Sequence, residues 1–232
     1  MKMEILADAD AVARRAAAVI AAEARAAVGA RGRFIVAVSG GHTPWLMLRA
    51  LASENVPWDS IHVAQVDERV APAGHADRNW SHLRESLLDH APLRPDQAHA
   101  MPVESPDLAA VAARYAQLLG QIAGQPPVPD LVHLGLGPDG HTASLVPGDP
   151  ALDITDADVA LTGVYKGRRR MTLTYPVLNR SRRVLWVVTG GEKAGMLGRL
   201  SSGDTSIPAG RVRQDRALLL ADRAAAPQTT PT

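Results

Sequence analysis

The chain contains no cysteine among its 232 residues. Disulfides, thiolate metal sites and a cysteine nucleophile are excluded together, and such a composition fits a reducing compartment. Aromatic side chains make up only 3% of the sequence, with a single Phe, while 46% is hydrophobic, so Ala, Val and Leu must fill the core. No long run of one charge sign occurs, and a net charge of +1 gives no electrostatic reason to expect a nucleic-acid partner. No apolar run approaches the roughly 20 residues needed to cross a bilayer, so no membrane partner is expected. The N-terminus, Met1-Lys2-Met3-Glu4, reaches Asp8 and Asp10 before an apolar stretch develops and does not read as a signal peptide. A cytoplasmic location is the default expectation. The length suits one α/β unit: a single domain over residues 1–223, with a Pro/Thr-rich tail from Ala224 to Thr232 expected to fray.

What is present is an alternation. Ala-rich sequence from Asp10 to Val28 predicts a helix ended by Gly29, and the apolar run Arg33–Val38 predicts a buried strand. Helices are expected at Pro44–Leu51, Arg78–Leu88, Pro106–Ile122 and Glu192–Leu200. Further strands are expected at Ile61–Val66, Asp130–Leu136, Val159–Tyr165, Arg170–Thr174, Arg183–Thr189 and Arg216–Ala221. Alternating strands and helices imply an α/β fold whose mostly parallel sheet carries helices on both faces. Ligands of such sheets bind beyond the carboxyl ends of the strands, which is where the chemical motifs should fall.

Four motifs meet that expectation. Ser39-Gly40-Gly41-His42-Thr43-Pro44 follows the first predicted strand. Two glycines allow close backbone approach, Thr43 suits an N-cap and Pro44 a first helical position, so the loop offers an anion a helix N-terminus; a tight turn needing glycine for geometry alone is the alternative. Asp67-Glu68-Arg69 follows the second strand, where a guanidinium oriented by a carboxylate can hold a substrate oxygen, unless it is a solvated ion pair. Leu134–Gly148 frames His141 with three glycines within six residues and places Asp139 near enough in sequence to orient its ring. A histidine titrating near neutrality can take a proton from water. The other seven histidines (His42, His62, His75, His82, His90, His99 and His133) read as surface or packing residues. Finally, Arg170 at the start of a strand and Lys193 in Gly190-Gly191-Glu192-Lys193 can add positive charge to an anion pocket. The remaining arginines nearby, Arg168, Arg169, Arg180, Arg182 and Arg183, read as solvated.

With those residues in view, the chain resembles the 6-phosphogluconolactonase family. The likeness runs over nearly the whole chain and rests, in family order, on SGGHTP, VDER, LGLGPDGHTASLVPG, RMTLTYP followed by LNRSRR, and GGEKA. The chain departs from the family at His42, Arg78 and Val146, none of which removes a proposed charged group. The resemblance implies a Rossmann-like, glucosamine-6-phosphate isomerase-like fold and hydrolysis of 6-phospho-D-glucono-1,5-lactone without cofactor or metal. It implies His141 as the base that activates water. Asp139 and Asp67 are expected to orient, Arg69 to steady the oxyanion or ring hydroxyls, and Ser39, Gly40, Gly41 and Thr43 to seat the phosphate against Arg170 and Lys193. The expected partner is a phosphorylated sugar lactone, and the expected state a monomer or weak dimer. Two alternatives stand beside this reading. A glucosamine-6-phosphate deaminase/isomerase shares the fold, but its acidic ring-opening residue aligns with Val146. A non-catalytic sugar-phosphate sensor is the other.

Overall fold

The computed structural model describes residues 1–226. Strand β1 (Lys2–Leu6) leads into helix α1 (Ala9–Arg31), whose first turn is closed by the Asp8 carboxylate accepting the Ala11 N–H at 2.8 Å. Strand β2 (Phe34–Val38) is followed by α2 (His42–Leu51), β3 (Ile61–Gln65), β4 (Asp67–Arg69), α3 (Asn79–Leu83), β5 (Ala98–His99) and α4 (Leu108–Ala123). The second half adds β6 (Leu131–Leu134), β7 (Val159–Leu161), β8 (Arg170–Leu173), α5 (Tyr175–Arg180), β9 (Val184–Val188), α6 (Ala194–Ser201) and β10 (Ala217–Asp222).

Seven strands form one parallel sheet in the order β1-β10-β9-β6-β2-β3-β5. From β2 the chain steps outward through β3 to β5, whereas from β6 it steps the other way through β9 to β10. The order therefore reverses between β2 and β6, and the loops after those two strands diverge to leave a crevice. Both faces of the sheet are buried, so the strands read as apolar runs, and alternate residues serve opposite layers. Phe34, Val36 and Val38 of β2 pack with Val12, Ala16 and Ile20 of α1. Trp186 of β9 and Leu219 of β10 pack in the other cluster with Tyr115 and Leu119 of α4.

A smaller antiparallel sheet, β4-β8-β7, sits at the carboxyl end of β3. Val66 is the hinge between the two sheets. Its N–H donates to Val38 O at 2.9 Å in the large sheet, and its carbonyl accepts from Leu173 N at 2.8 Å in the small one. Asp67 and Arg69 thus leave β3 already turned across its end.

The sequence expectations differ from the structure at identifiable points. Gly29 does not end α1. The helix continues to Arg31, and Gly32 caps it in the left-handed region at φ 74°, with its N–H bonded to Val28 O at 2.8 Å. Helix α2 begins at His42 with Gly41 as its cap, so Thr43 and Pro44 lie inside the first turn; Thr43 spends its hydroxyl on Thr189 instead, at 2.6 Å. The segment Asp67–Arg69, expected only to follow the second strand, is itself a short strand. The helix expected at Arg78–Leu88 is one α-turn, Asn79–Leu83, followed by a wide π-turn, Arg84–Leu88. The strand expected to reach Tyr165 stops at Leu161. Strands β1 and β5 and helix α5 were not anticipated: the first is an edge strand carrying Lys2 and Glu4, and the others are too short for a periodic signal. Arg180 is half-buried and paired with Asp158, and Arg168 with Asp77 at 2.9 Å, so neither is simply solvated. Of the C-terminal stretch expected to fray, Ala225 is fully buried and Ala226 N–H donates to Asp222 O at 3.0 Å, while Pro227–Thr232 lie outside the described residues.

Gly29 inside α1 and Gly32 just after it make opposite demands. A Cβ added at either meets no atom within 4 Å, so only backbone preference separates them. Gly29→Ala is expected to stabilise the fold by about 0.5–1 kcal/mol by replacing an interior helical glycine. Gly32→Ala is expected to destabilise it by about 1 kcal/mol through left-handed strain. Urea unfolding midpoints of the two variants check both signs.

Candidate active site

The crevice at the reversal of strand order is a cavity of about 340 Å³. The loops after β2, β6 and β9 line it, as do β4 and β8 of the small sheet. It contains all ten residues proposed from sequence except Asp139, which stands directly behind one of them: Ser39, Gly40, Gly41, Thr43, Asp67, Arg69, His141, Arg170 and Lys193 are all on its walls.

The loop after β6 is built to present one imidazole. Gly140 has φ 83°, and Gly137 N–H donates to His141 O at 2.8 Å, closing a tight turn. Position 137 has no room for a side chain: a Cβ there would lie 2.0 Å from His141 Nδ1 and 2.2 Å from its Cε1. The ring therefore occupies the space a side chain at position 137 would need. Its Nδ1 meets Asp139 Oδ1 at 2.5 Å, which leaves Nε2 as the nitrogen for chemistry. The second carboxylate oxygen, Oδ2, accepts a hydrogen bond from the Tyr165 hydroxyl at 3.0 Å. Burial pushes the His141 pKa below its ordinary value, and Asp139 opposes that shift. Burial alone would raise Asp139, but its bonds to His141 and Tyr165 outweigh this and hold the carboxyl below the usual carboxylate range. The result is a neutral imidazole at physiological pH with an anionic carboxylate fixing its tautomer.

The opposite wall is the loop after β2. Its sharp path is also sterically enforced, because a Cβ at Gly40 would fall 2.0 Å from Asn79 Oδ1. Ser39 faces inward more than sequence suggested: its N–H donates to His133 Nδ1 at 3.2 Å and its hydroxyl to His133 O at 3.0 Å. Ser39 thus shapes the loop, and the donors left for an anion are the first-turn amides of α2, which have no earlier carbonyl to bond within the helix. His133 is fully buried and its pKa is pushed down to about 3 by that burial, so it is a neutral strut. The packing role expected of it is correct, but its contact with the loop was not foreseen.

The small sheet supplies two of the cations, both arginines. Antiparallel register sets Arg69 directly opposite Arg170. Asp67 lies beside them: its Oδ2 accepts from Ser144 Oγ at 2.6 Å, and Ser144 Oγ accepts from Arg170 Nη1 at 3.4 Å. Glu68, between Asp67 and Arg69, points away from the cavity and is fully buried. It accepts the N–H groups of Arg69, Asn79 and Trp80, each at 2.8 Å, and pairs with Arg78 Nε at 3.1 Å. The Asp-Glu-Arg motif is therefore two inward residues and one structural staple. Lys193 approaches from the turn after β9, near Glu192 at 3.9 Å, and Lys166 joins the lining from the β7–β8 turn. Neither Tyr165 nor Lys166 was singled out from sequence, because no short-range pattern marks residues of a distant hairpin. Among the described residues, no group of three or more His, Asp and Glu is arranged to hold a metal ion, and no helix is long and apolar enough to cross a membrane.

Architecture and cavity define the class: an α/β protein with a carboxylate–imidazole pair and a cationic cleft at a topological switch point. A family model described as glucosamine-6-phosphate isomerases/6-phosphogluconolactonase matches residues 7–220, and the chain belongs to that family. It is 36% identical over 231 residues to a 6-phosphogluconolactonase of Nostoc sp., covering 96% of each chain. The solved structure of a 6-phosphogluconolactonase from Thermotoga maritima aligns with a TM-score of 0.84 at 27% identity, over 95% of this chain and 98% of that one. A monomeric glucosamine-6-phosphate deaminase aligns with a TM-score of 0.85 over 97% of this chain and 98% of that one, but at 19% identity, a likeness of fold alone.

The steric fit at position 137 yields a direct test. Gly137→Ala is expected to displace the His141 ring and lower turnover by on the order of 100-fold, with the melting temperature reduced far less than turnover. Wild-type turnover in a folded Gly137→Ala protein contradicts the placement of the ring.

Proposed function

We propose that this chain hydrolyses 6-phospho-D-glucono-1,5-lactone to 6-phospho-D-gluconate, the hydrolytic step of the oxidative pentose phosphate pathway. The observation that carries the reading is the shared cavity. An imidazole held by a carboxylate and a helix N-terminus flanked by cations open into one space. The named lactonase relatives at 36% identity support the same substrate.

The phosphate dianion sits at the N-terminus of α2, received by the backbone of Gly40, Gly41 and Thr43 in the loop that Ser39 anchors, with Lys193 and Arg170 as counter-charge. Binding energy from this remote group fixes the lactone carbonyl against His141. The neutral Nε2 of His141 takes a proton from water as the water oxygen bonds to C1. Arg69 stabilises the oxyanion that develops on the carbonyl oxygen, and Asp67 holds the arginine pair in place. When the C1–O5 bond breaks, the imidazolium returns its proton to the departing ring oxygen, which becomes the C5 hydroxyl. Water is consumed and the catalyst is regenerated. Asp139 stabilises the imidazolium without itself becoming protonated. The deaminase alternative needs an acidic residue at position 146, where this chain buries Val146 at 6% exposure.

His141→Ala is expected to lower lactone turnover on the order of 100-fold or more, measured as lactone loss above the spontaneous rate. The same assay with the unphosphorylated lactone should show a sharply reduced kcat/KM. Near-normal turnover by the variant defeats the assignment of the base, and ammonia release from glucosamine 6-phosphate defeats the choice of substrate.

The base works only when neutral, and burial places its pKa below the ordinary histidine value of 6.5. Catalysis is therefore expected to be level near pH 7 and to decline as pH falls below about 6.5, by about tenfold per unit at the limit. A limb centred above pH 7 contradicts it.

A further inference from the structure

Tyr165 stands in no part of the mechanism above, yet three of its contacts converge on it. Its hydroxyl donates to Asp139 Oδ2 at 3.0 Å, on the oxygen that His141 leaves free. Its ring meets the His141 ring edge to face, with centroids 5.5 Å apart and planes at 65°. The Arg170 guanidinium lies 4.9 Å from the ring centre. The backbone holds this side chain in place by local means. Tyr165 and Arg168 form an antiparallel bridge, and the two residues between them, Lys166 at φ 50° and Gly167 at φ 77°, make the left-handed pair of a tight hairpin turn. Arg168 ties that turn to the neighbouring loop through Asp77, with its Nε 3.0 Å from Asp77 Oδ2. A rigid hairpin tip is thus aimed at the carboxylate of the acid–base pair.

We infer that Tyr165 is a positioning residue for the Asp139–His141 pair: its hydroxyl locks the carboxylate rotamer and restrains the carboxylate's pull on the imidazole proton. Tyr165 does not line the cavity, so it acts through Asp139 and not on substrate. A carboxylate with one oxygen bonded to imidazole and the other free can rotate about its terminal bond, which is soft. The phenol removes that freedom. It also draws charge from the carboxylate, which lowers its attraction for imidazolium. Without the phenol, Asp139 is more basic and the imidazolium more stable, so the His141 pKa rises. The other charged groups facing the pair (Asp67, Arg69, Lys166, Arg170, Glu192 and Lys193) remain as they are when only the hydroxyl is deleted.

The role in turnover rests on the lactonase reading; the effect on His141 does not. The test therefore has two readouts on Tyr165→Phe, which keeps the ring. Imidazole NMR titration is expected to show the His141 pKa shifted up by about 0.5–1 unit. Lactone assays should show kcat reduced about 5- to 10-fold, KM nearly unchanged, and the acid limb moved up with the NMR value. Tyr165→Leu, which also removes the ring, should lose more kcat. An unchanged His141 pKa overturns the inference, as does a folded Tyr165→Phe protein with wild-type kcat and pH profile. If the wild-type chain has no lactonase activity, the functional reading fails while the titration still decides the coupling of Tyr165 to His141.

Discussion

A ring pressed against a bare backbone is the constraint on which the site depends. His141 lies where the Gly137 Cβ would otherwise be, so ring and glycine can only exist as a pair. That contact removes the ring's freedom to swing out of the crevice, and the Asp139 bond removes its freedom to change tautomer. Preorganisation of this kind costs backbone irregularity, which the turn at Gly140 and the bond from Gly137 N–H to His141 O absorb. The rest of the crevice can then be assembled around a fixed imidazole.

Topology explains why these residues meet at all. The loops after β2 and β6 are adjacent in space and about a hundred residues apart in sequence because their strands are neighbours at the reversal of sheet order. The small sheet then closes the crevice from above. By turning at Val66, the chain converts the end of β3 into the start of β4, and antiparallel pairing with β8 delivers two arginines side by side. Two like charges at one register position are unfavourable on their own. The Asp67 carboxylate beside them opposes that repulsion.

Much of this was legible in the sequence because it is local. The buried runs that became β2, β3, β6 and β9 are continuous and apolar, and the glycine-rich segments after β2 and β6 mark the crevice. His141, framed by Gly137 and Gly140, stands out among eight histidines for that reason, and it lies on the cavity wall. What escaped notice depends on partners far along the chain. Thr43 looked like a cap until Thr189 was seen to take its hydroxyl. Glu68 sits between Asp67 and Arg69 in one motif with nothing local to set it apart, yet the amides of Asn79 and Trp80 claim it. Tyr165 carries no motif at all and becomes meaningful only where a hairpin turn brings it to Asp139. Gly29 and Gly32 teach the same lesson on a smaller scale, since the sequence alone does not say which glycine takes the left-handed conformation.

The central claim is an orientation: phosphate at the start of α2, reacting carbon at His141. The most direct measurement is a crystal structure with the product, 6-phospho-D-gluconate, bound. The account predicts the phosphate at the first-turn amides after Gly40-Gly41, and the new carboxylate within hydrogen-bond reach of His141 Nε2 and Arg69. A product bound the other way round, with its phosphate at His141, or bound outside this crevice, would contradict it.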